Sequence, residues 1–419
     1  MSKFVLIVIT VWASIWFSSA LAAELRYSYS VEFELPERKI KRQMKKKYRH
    51  LLSPLTEEVT RRQSSGDTVT CSIQIARETH WLINYTSYDD QVLNRLADLK
   101  ESLKEKDQSW ALEQTESDGS WGACYETWMF RLHSSVDPLK ELHLAGKRPK
   151  YPLKFLEPVN TPEKLNAIYD KIIVSKLEED GVSYRRDLNY ITSSLGQLLW
   201  LPEWSGILAG TDFPRAEIGR ELIKIVDEKW QNPDTGYWGA WYQTGDKIVK
   251  SDDLSITFHI VAYRGGKVPN LKKIVKTTLN LREQPYPYGW QDRGTKNNHH
   301  SYDVVKLLRY GWPYLDGFQR AAVSAEVSIM LARSLRLSMD GKARFYADAY
   351  DNIGDAYYFG VSFLEEAGYF RKSRLFWARS LKFTGSEQIR QKIIRNLQEL
   401  DNRDPMIAAA LRKAQLRDE

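Results

Sequence analysis

Gln114-Thr-Glu-Ser-Asp-Gly119-Ser-Trp121-Gly122-Ala-Cys-Tyr125 recurs as Gln231-Asn-Pro-Asp-Thr-Gly236-Tyr-Trp238-Gly239-Ala-Trp-Tyr242, with the shared residues at one spacing. Looser copies stand at Asp180-Gly181-Val-Ser-Tyr184, Gln284-Pro-Tyr-Pro-Tyr-Gly289-Trp290 and Asp340-Gly341-Lys-Ala-Arg-Phe345. From glycine to glycine the steps are 62, 55, 53 and 52 residues. A step of that size holds two helices of about 12 residues or more and their connections. Self-similarity at a fixed period marks a repeat architecture, in which each unit buries its apolar face against its neighbours.

The residues between the copies read as helices of two kinds. Val92, Leu93, Leu96, Leu99 and Leu103 recur every three or four residues, as do Ile168, Ile172, Ile173 and Leu177, then Ile218, Leu222, Ile223, Val226 and Trp230. Each of these amphipathic helices ends just before a turn. After the turns come more apolar stretches: Leu188 to Leu201, Leu254 to Tyr263, Tyr302 to Tyr310 and Ala356 to Ala367. Alternation of this kind predicts a mainly α protein in which inner helices are wrapped by outer ones. The fold expected is an α/α toroid of about five or six helix pairs over residues 87–385, with a helical tail over 386–419. An open solenoid of tetratricopeptide type is the rival, but its repeat is about 34 residues. The tail from Arg371 to Leu381 and onward resembles such a helix pair.

Residues 23–86 are expected to form a small N-terminal α/β extension. Leu25 to Leu35 and Thr68 to Ala76 alternate like half-buried strands, and Pro36 opens a charged helical stretch to about Arg62. Residues 1–22 read as a signal peptide: Lys3, an apolar run from Phe4 to Phe17, and Ala20-Leu21-Ala22 as the cleavage site. The competing reading is an uncleaved anchor. With cleavage, the protein is expected to be secreted or periplasmic, without stable membrane insertion. In an oxidising compartment Cys71 and Cys124, the only two cysteines, are expected to pair, the alternative being two free thiols. Neither has metal-ligand spacing, so no metal or other cofactor is expected. Asn84-Tyr-Thr86 is an N-glycosylation sequon.

The charge is +7, much of it between Arg38 and Arg49. Outside a cell this argues for an acidic polymer, or an anionic surface, as partner rather than for nucleic acid, and the partner expected is an acidic polysaccharide or other glycan. The same run also reads as a solvated helix face.

Gln-x4-Gly-x-Trp before an inner helix resembles the repeats of squalene cyclases and protein prenyltransferases, over about residues 90–385. Gln114, Gly119 and Trp121 match in one copy, and Gln231, Gly236 and Trp238 in another. The resemblance implies that these residues tie one repeat to the next. Some of those cyclases carry Asp-x-Asp-Asp, and the matching stretch here is Lys250-Ser251-Asp252-Asp253. Lys250 replaces the first acid and favours an ionised neighbour, so carbocation chemistry is not expected.

In a toroid the loops entering the inner helices meet at one mouth. The polar residues expected there are Tyr125 and Glu126; Arg186 and Asp187; Asp252 and Asp253; Asn297, Asn298, His299, His300, Tyr302 and Asp303; Asp355, Tyr357 and Tyr358. Asn297-Asn298-His299-His300-Ser301-Tyr302 resembles the Asn-Asn-His-Ser-Tyr motif of toroid-fold alginate lyases, with one extra histidine. The resemblance implies that Asn298 and His299 neutralise a uronate carboxylate. A histidine or tyrosine (His300, Tyr302 or Tyr358) would remove the C5 proton or protonate the leaving oxygen. The function expected is cleavage of an acidic, uronate-containing polysaccharide by β-elimination, with Asp253 among the catalytic candidates. Tyr125, Arg186, Asp187, Trp241, Asp252, Asn297 and Tyr357 are candidates for substrate binding. Two alternatives remain: a glycoside hydrolase using Asp187 with Asp253 or Asp355, and a toroid that binds a glycan or a protein without turnover. The aspartates also read as helix N-caps.

Overall fold

The computed structural model describes residues 37–290, 299–347, 350, 352–378, 383–400 and 404–417. The strand expected over Leu25 to Leu35 lies outside them. The described chain is mainly helical and forms two compact units, one of residues 37–232 and 238–264, the other of 233–237 and 265–417.

In the first unit the helices are α1 (Glu37–Ser64), α2 (Thr70–Tyr85), α3 (Asp89–Ser102), α4 (Trp128–Leu144), α5 (Pro162–Ile172), α6 (Arg185–Leu199), α7 (Arg215–Lys224) and α8 (Leu254–Tyr263). α7 runs on into a π-helical turn, Ile225–Trp230. The two kinds of helix are plain in what they bury. α5 hides one stripe, Leu165, Tyr169 and Ile172, and opens with Pro162 behind a Thr161 cap that accepts from Lys164 N. α8 buries Leu254, Ile256, Phe258, Ile260 and Val261, which leaves it no wet face. α6 is covered almost as fully. A small sheet completes the unit: β1 (Val174–Ser175) pairs parallel with β2 (Trp241–Thr244), which pairs antiparallel with β3 (Lys247–Lys250).

Thr68 to Ala76 corrects the reading of its sequence. It is no strand: Thr70 onward is the first turn of α2. The helix buries polar side chains as well as apolar ones, including Ser72, Gln74, Glu78 and Thr79. Polarity therefore failed to mark the wet face. Those side chains are satisfied inside. Gln74 accepts from Cys124 N, and Glu78 accepts from the amides of Glu126 and Thr127 at the start of α4. Asn84, the sequon residue, is also buried and donates to His80 O at 2.5 Å.

The two full copies of the turn share one backbone geometry at their glycine. Gly119 and Gly236 both sit at φ +75°, a region that disfavours any other residue. A Cβ on Gly119 would meet Pro152 O at 2.0 Å. Gln114 bridges its own turn and the next segment, donating to Gly119 O and Tyr151 O while accepting from the amides of Lys150 and Tyr151. Trp238 is wholly buried, and its indole donates to Val226 O at 2.8 Å, twelve residues back. In the second unit Trp290 does the same to Thr278 O, again twelve residues back and at 2.8 Å.

That second unit holds α9 (Leu271–Asn280), α10 (His299–Gly311), α11 (Gly317–Leu337), α12 (Ile353–Glu366), α13 (Ser386–Gln398) and α14 (Pro405–Gln415). α12 packs on α10 and on α14. Asp316 and Gln319 form a capping box at the start of α11. Where described, Arg371 to Leu381 holds only a short 3-10 turn, Lys372–Arg374, in which Arg374, like Arg371 before it, folds back onto Glu365; the helix pair lies onward, where α13 packs on α14. Among the described residues no helix is long and apolar enough to cross a membrane.

Cys71 and Cys124 are bonded, with Cα atoms 5.4 Å apart and a sequence separation of 53. The bond fastens the first turn of α2 to the first repeated turn. Closing a loop of that length contributes about 4 kcal/mol in the chain-entropy model. The Cys71→Ser/Cys124→Ser variant should therefore unfold at clearly lower urea concentration than the wild type. Equal midpoints would show that the crosslink adds nothing to stability.

Candidate functional site

α6 begins where a buried arginine meets a buried aspartate. Arg185 Nε donates to Asp253 Oδ2 at 2.6 Å, and both side chains are almost wholly out of water. Asp253 also caps α8, accepting from Ile256 N, while its own amide donates to Trp238 O. This network holds the N-termini of α6 and α8 together. Burial raises the Asp253 carboxyl, outweighing the attraction of Arg185. Asp253 is thus a joint between helices, and its carboxylate is committed to Arg185 and the α8 cap.

The next residues of α6 gather charged and aromatic groups. Arg186 donates to the Tyr190 hydroxyl, and its guanidinium lies 4.1 Å from the Tyr190 ring centroid. The His133 imidazole of α4 stacks on the same ring at 4.0 Å, with an interplanar angle of 15°. Its Nδ1 lies 3.2 Å from Ser194 Oγ. Burial, then the charges of Arg77 and Arg186, hold His133 down at about 4, so at neutral pH it is an uncharged imidazole. Arg77 of α2 donates to the Tyr125 hydroxyl at 3.4 Å. Tyr125 stacks on Phe130, and Phe130 meets Trp81 and Tyr190 edge to face. An aromatic floor thus joins the two arginines and the histidine.

Asp187 is the one acid of this cluster held near neutrality. Burial of its carboxyl pushes it up to about 7, against weaker pulls from its own backbone amide, Trp81, Lys171 and Arg186. Oδ2 is out of solvent and makes no hydrogen bond, and neither does the nearby Trp81 indole nitrogen. Below about pH 7 Asp187 is a carboxylic acid with a proton to give. Two fixed cations and a neutral imidazole thus meet on one aromatic floor, and a protonated acid follows Arg186 in α6. An open groove of about 560 Å3 elsewhere in the first unit is lined by Arg148, Lys150, Tyr151, Lys154 and Phe213. None of the cluster residues lines it.

The first unit brings together Tyr125, Arg186 and Asp187 from the expected site. Asp252 is buried. Trp241 lies in β2, and the Lys250 ammonium stands 4.3 Å over its ring, so its face is already covered. His133, Tyr190, Arg77 and Trp81 were not legible as site residues. They sit in the middles of helices, away from the turns, and only packing reveals their convergence.

Other expected residues belong to the second unit. Asn297 and Asn298 lie outside the described residues, as does the side chain of His299, whose backbone opens α10. His300 is buried, stacks on Tyr286 at 3.9 Å, and is held down at about 4 by burial. Tyr302 accepts from Lys306 Nζ at 3.2 Å. The Lys413 ammonium lies 4.3 Å from the Tyr358 ring and donates to Ser362 Oγ at 2.6 Å. Tyr357 is a packing residue: it is buried edge-on against Phe345, and burial pushes its hydroxyl up to about 12. Asp355 is no cap; it donates its amide to the cap residue Asn352.

Compared with known proteins, the chain matches no family model, no curated protein and no solved structure.

Two outcomes follow from these charges. Replacing Asp253 by alanine removes a buried carboxylate that Arg185 and the amide of Ile256 both bind, and should cost about 3–5 kcal/mol of unfolding free energy in a denaturant titration. A loss below about 1 kcal/mol would remove the joint assigned to Asp253. Asp187 has a raised folded value, so its contribution is full below the unfolded carboxyl range and is lost as pH rises through about 7. Asp187→Asn should accordingly flatten the fall in thermal midpoint between pH 5 and pH 8. A wild type whose midpoint does not fall over that interval would contradict the assignment.

Proposed function

We propose that this chain is an exported α/α toroid that cleaves a uronate-containing polysaccharide by β-elimination, acting through the cluster at the start of α6. The observation that supports the reading best is the stack of His133 on Tyr190 beside Arg186, which combines an uncharged base with a fixed cation. The toroid is supported by the alternation of one-stripe helices with fully buried ones, and by the recurring turns.

The roles follow from the chemistry. A uronate carboxylate carries negative charge that resists removal of the neighbouring C5 proton. Arg186 and Arg77 offset that charge and stabilise the carbanion-like state. His133 takes the C5 proton, and its bonding electrons form the C4–C5 double bond. The C4–O bond breaks toward the departing sugar, whose oxygen receives the proton of Asp187. The proton gained by His133 and the proton lost by Asp187 are then exchanged with water. Tyr190, stacked by His133 and by Arg186, and Tyr125, which accepts from Arg77, hold those three groups in place.

A hydrolase built on Asp187 and Asp253 fits less well, because Asp253 is committed to Arg185 and to the cap of α8. Asn298 and His299 are not needed for the three roles, so variants of His299 and of His133 separate the two assignments.

Incubation with alginate, pectate and glycosaminoglycans, read by the absorbance of the unsaturated uronate, tests the activity. Reducing ends on a neutral glycan without that absorbance would point to hydrolysis, and retention without either signal to a binding protein. His133 must be uncharged and Asp187 protonated, so turnover should be confined between about pH 4 and about pH 7. His133→Gln should lower kcat by about 100-fold or more with the fold intact. Unchanged turnover would exclude His133 as the base.

A further inference from the structure

α1 is a charged rod. Between Glu37 and Glu57 the chain carries eight cations and no acid: Arg38, Lys39, Lys41, Arg42, Lys45, Lys46, Lys47 and Arg49. All eight are exposed, and they span about 17 Å of helix. Lys47 is paired with Asp89. Lys39, Lys41, Lys45, Lys46 and Arg49 make no ion pair among the described residues. Such crowding costs free energy, and Lys45 registers it: after burial, its value is lowered by Lys41 and Arg49. A folded helix holds this self-repulsion at one face, where a polyanion would relieve it.

The position of the charges matters as much as their number. Lys41, Lys45 and Arg49 are spaced four apart and form one ladder along the helix. Its N-terminal end adjoins the start of α6: Glu37, four residues before Lys41, accepts from the hydroxyl of Ser183, two residues before Arg185, at 2.9 Å. Met44, Tyr48 and Leu52 are buried, so α1 has no apolar face to offer a bilayer. No exposed aromatic ring lies between the cations, so there is no platform on which a nucleic-acid base would stack. What remains is a row of fixed positive charges suited to a chain of regularly spaced carboxylates.

We propose that the Lys41–Lys45–Arg49 ladder of α1 is a docking track for an anionic polysaccharide, leading a polyuronate strand toward the cluster at the start of α6. The inference rests on the reading of that cluster as a uronate site, but it concerns binding and can fail separately. The track acts through counter-ion release, so its contribution falls as salt rises.

The test compares the full chain with Lys41→Gln/Lys45→Gln/Arg49→Gln, whose replaced side chains are exposed, after confirming equal thermal midpoints. Binding to alginate, pectate and a glycosaminoglycan is measured at several salt concentrations, with dextran as a neutral control. The triple variant should bind at least one polyanion about tenfold more weakly at low salt, with a shallower dependence on salt. Turnover of a short oligosaccharide should be unchanged while KM for the polymer rises. Equal polymer affinity in the two proteins would overturn the track, as would absence of binding to every polyanion. Ladder-dependent capture by phosphatidylserine vesicles, with no polymer bound, would overturn it in favour of a membrane surface. Ladder-dependent polymer binding without any unsaturated product would uphold the track and remove the lyase reading.

Discussion

A carboxylate with no access to water, Asp253, decides where the rest of the first unit can go. Ionised and alone, it would be intolerable at that depth. It is tolerated because Arg185 reaches it from the start of α6 and the amide of Ile256 from the start of α8. Trp238 enters through its carbonyl, which accepts from the Asp253 amide, and its indole reaches back to the π-helical turn after α7. One charge therefore locks a repeated turn, two buried helices and the preceding amphipathic helix. The residues after Arg185 inherit their position from that lock.

The cluster gains its properties from the same economy of water. His133 and Asp187 are moved in opposite directions along the pH scale, and in both cases burial is the largest cause. Desolvation disfavours whichever form is charged, so it keeps the imidazole neutral and the acid protonated. Arg77 and Arg186 supply the positive charge that neither of them carries. Base, acid and cation thus coexist without neutralising one another. The α1 ladder adds a field of the same sign on the surface, where screening by salt governs it.

Much of the helical framework was legible. Leu254 to Tyr263 was expected as an apolar helix and is α8 to the residue, because ten apolar-rich positions behind an aspartate cap leave few alternatives. The paired cysteines were also expected to bond, and they do. Thr68 to Ala76 misled because nine alternating residues sample too short a window, and because α2 buries Gln74 and Glu78 as if they were apolar. By sequence Asp253 stands among the catalytic candidates, and its spacing before a helix does not reveal that Arg185, 68 residues away, binds it.

What the linear chain determined by itself was local. Period, caps and glycines set where helices start and stop, since those choices depend on neighbours within a turn or two. The +75° glycines and the tryptophans twelve residues after their acceptors belong to this class. Tertiary structure alone decided which polar groups would meet. His133, Tyr190, Arg77 and Asp187 come from three helices, and only Asp187, just after a repeated turn, carries a mark in its own neighbourhood. Their protonation states follow from how much water packing removes, which is a property of the space between helices rather than of any stretch of chain.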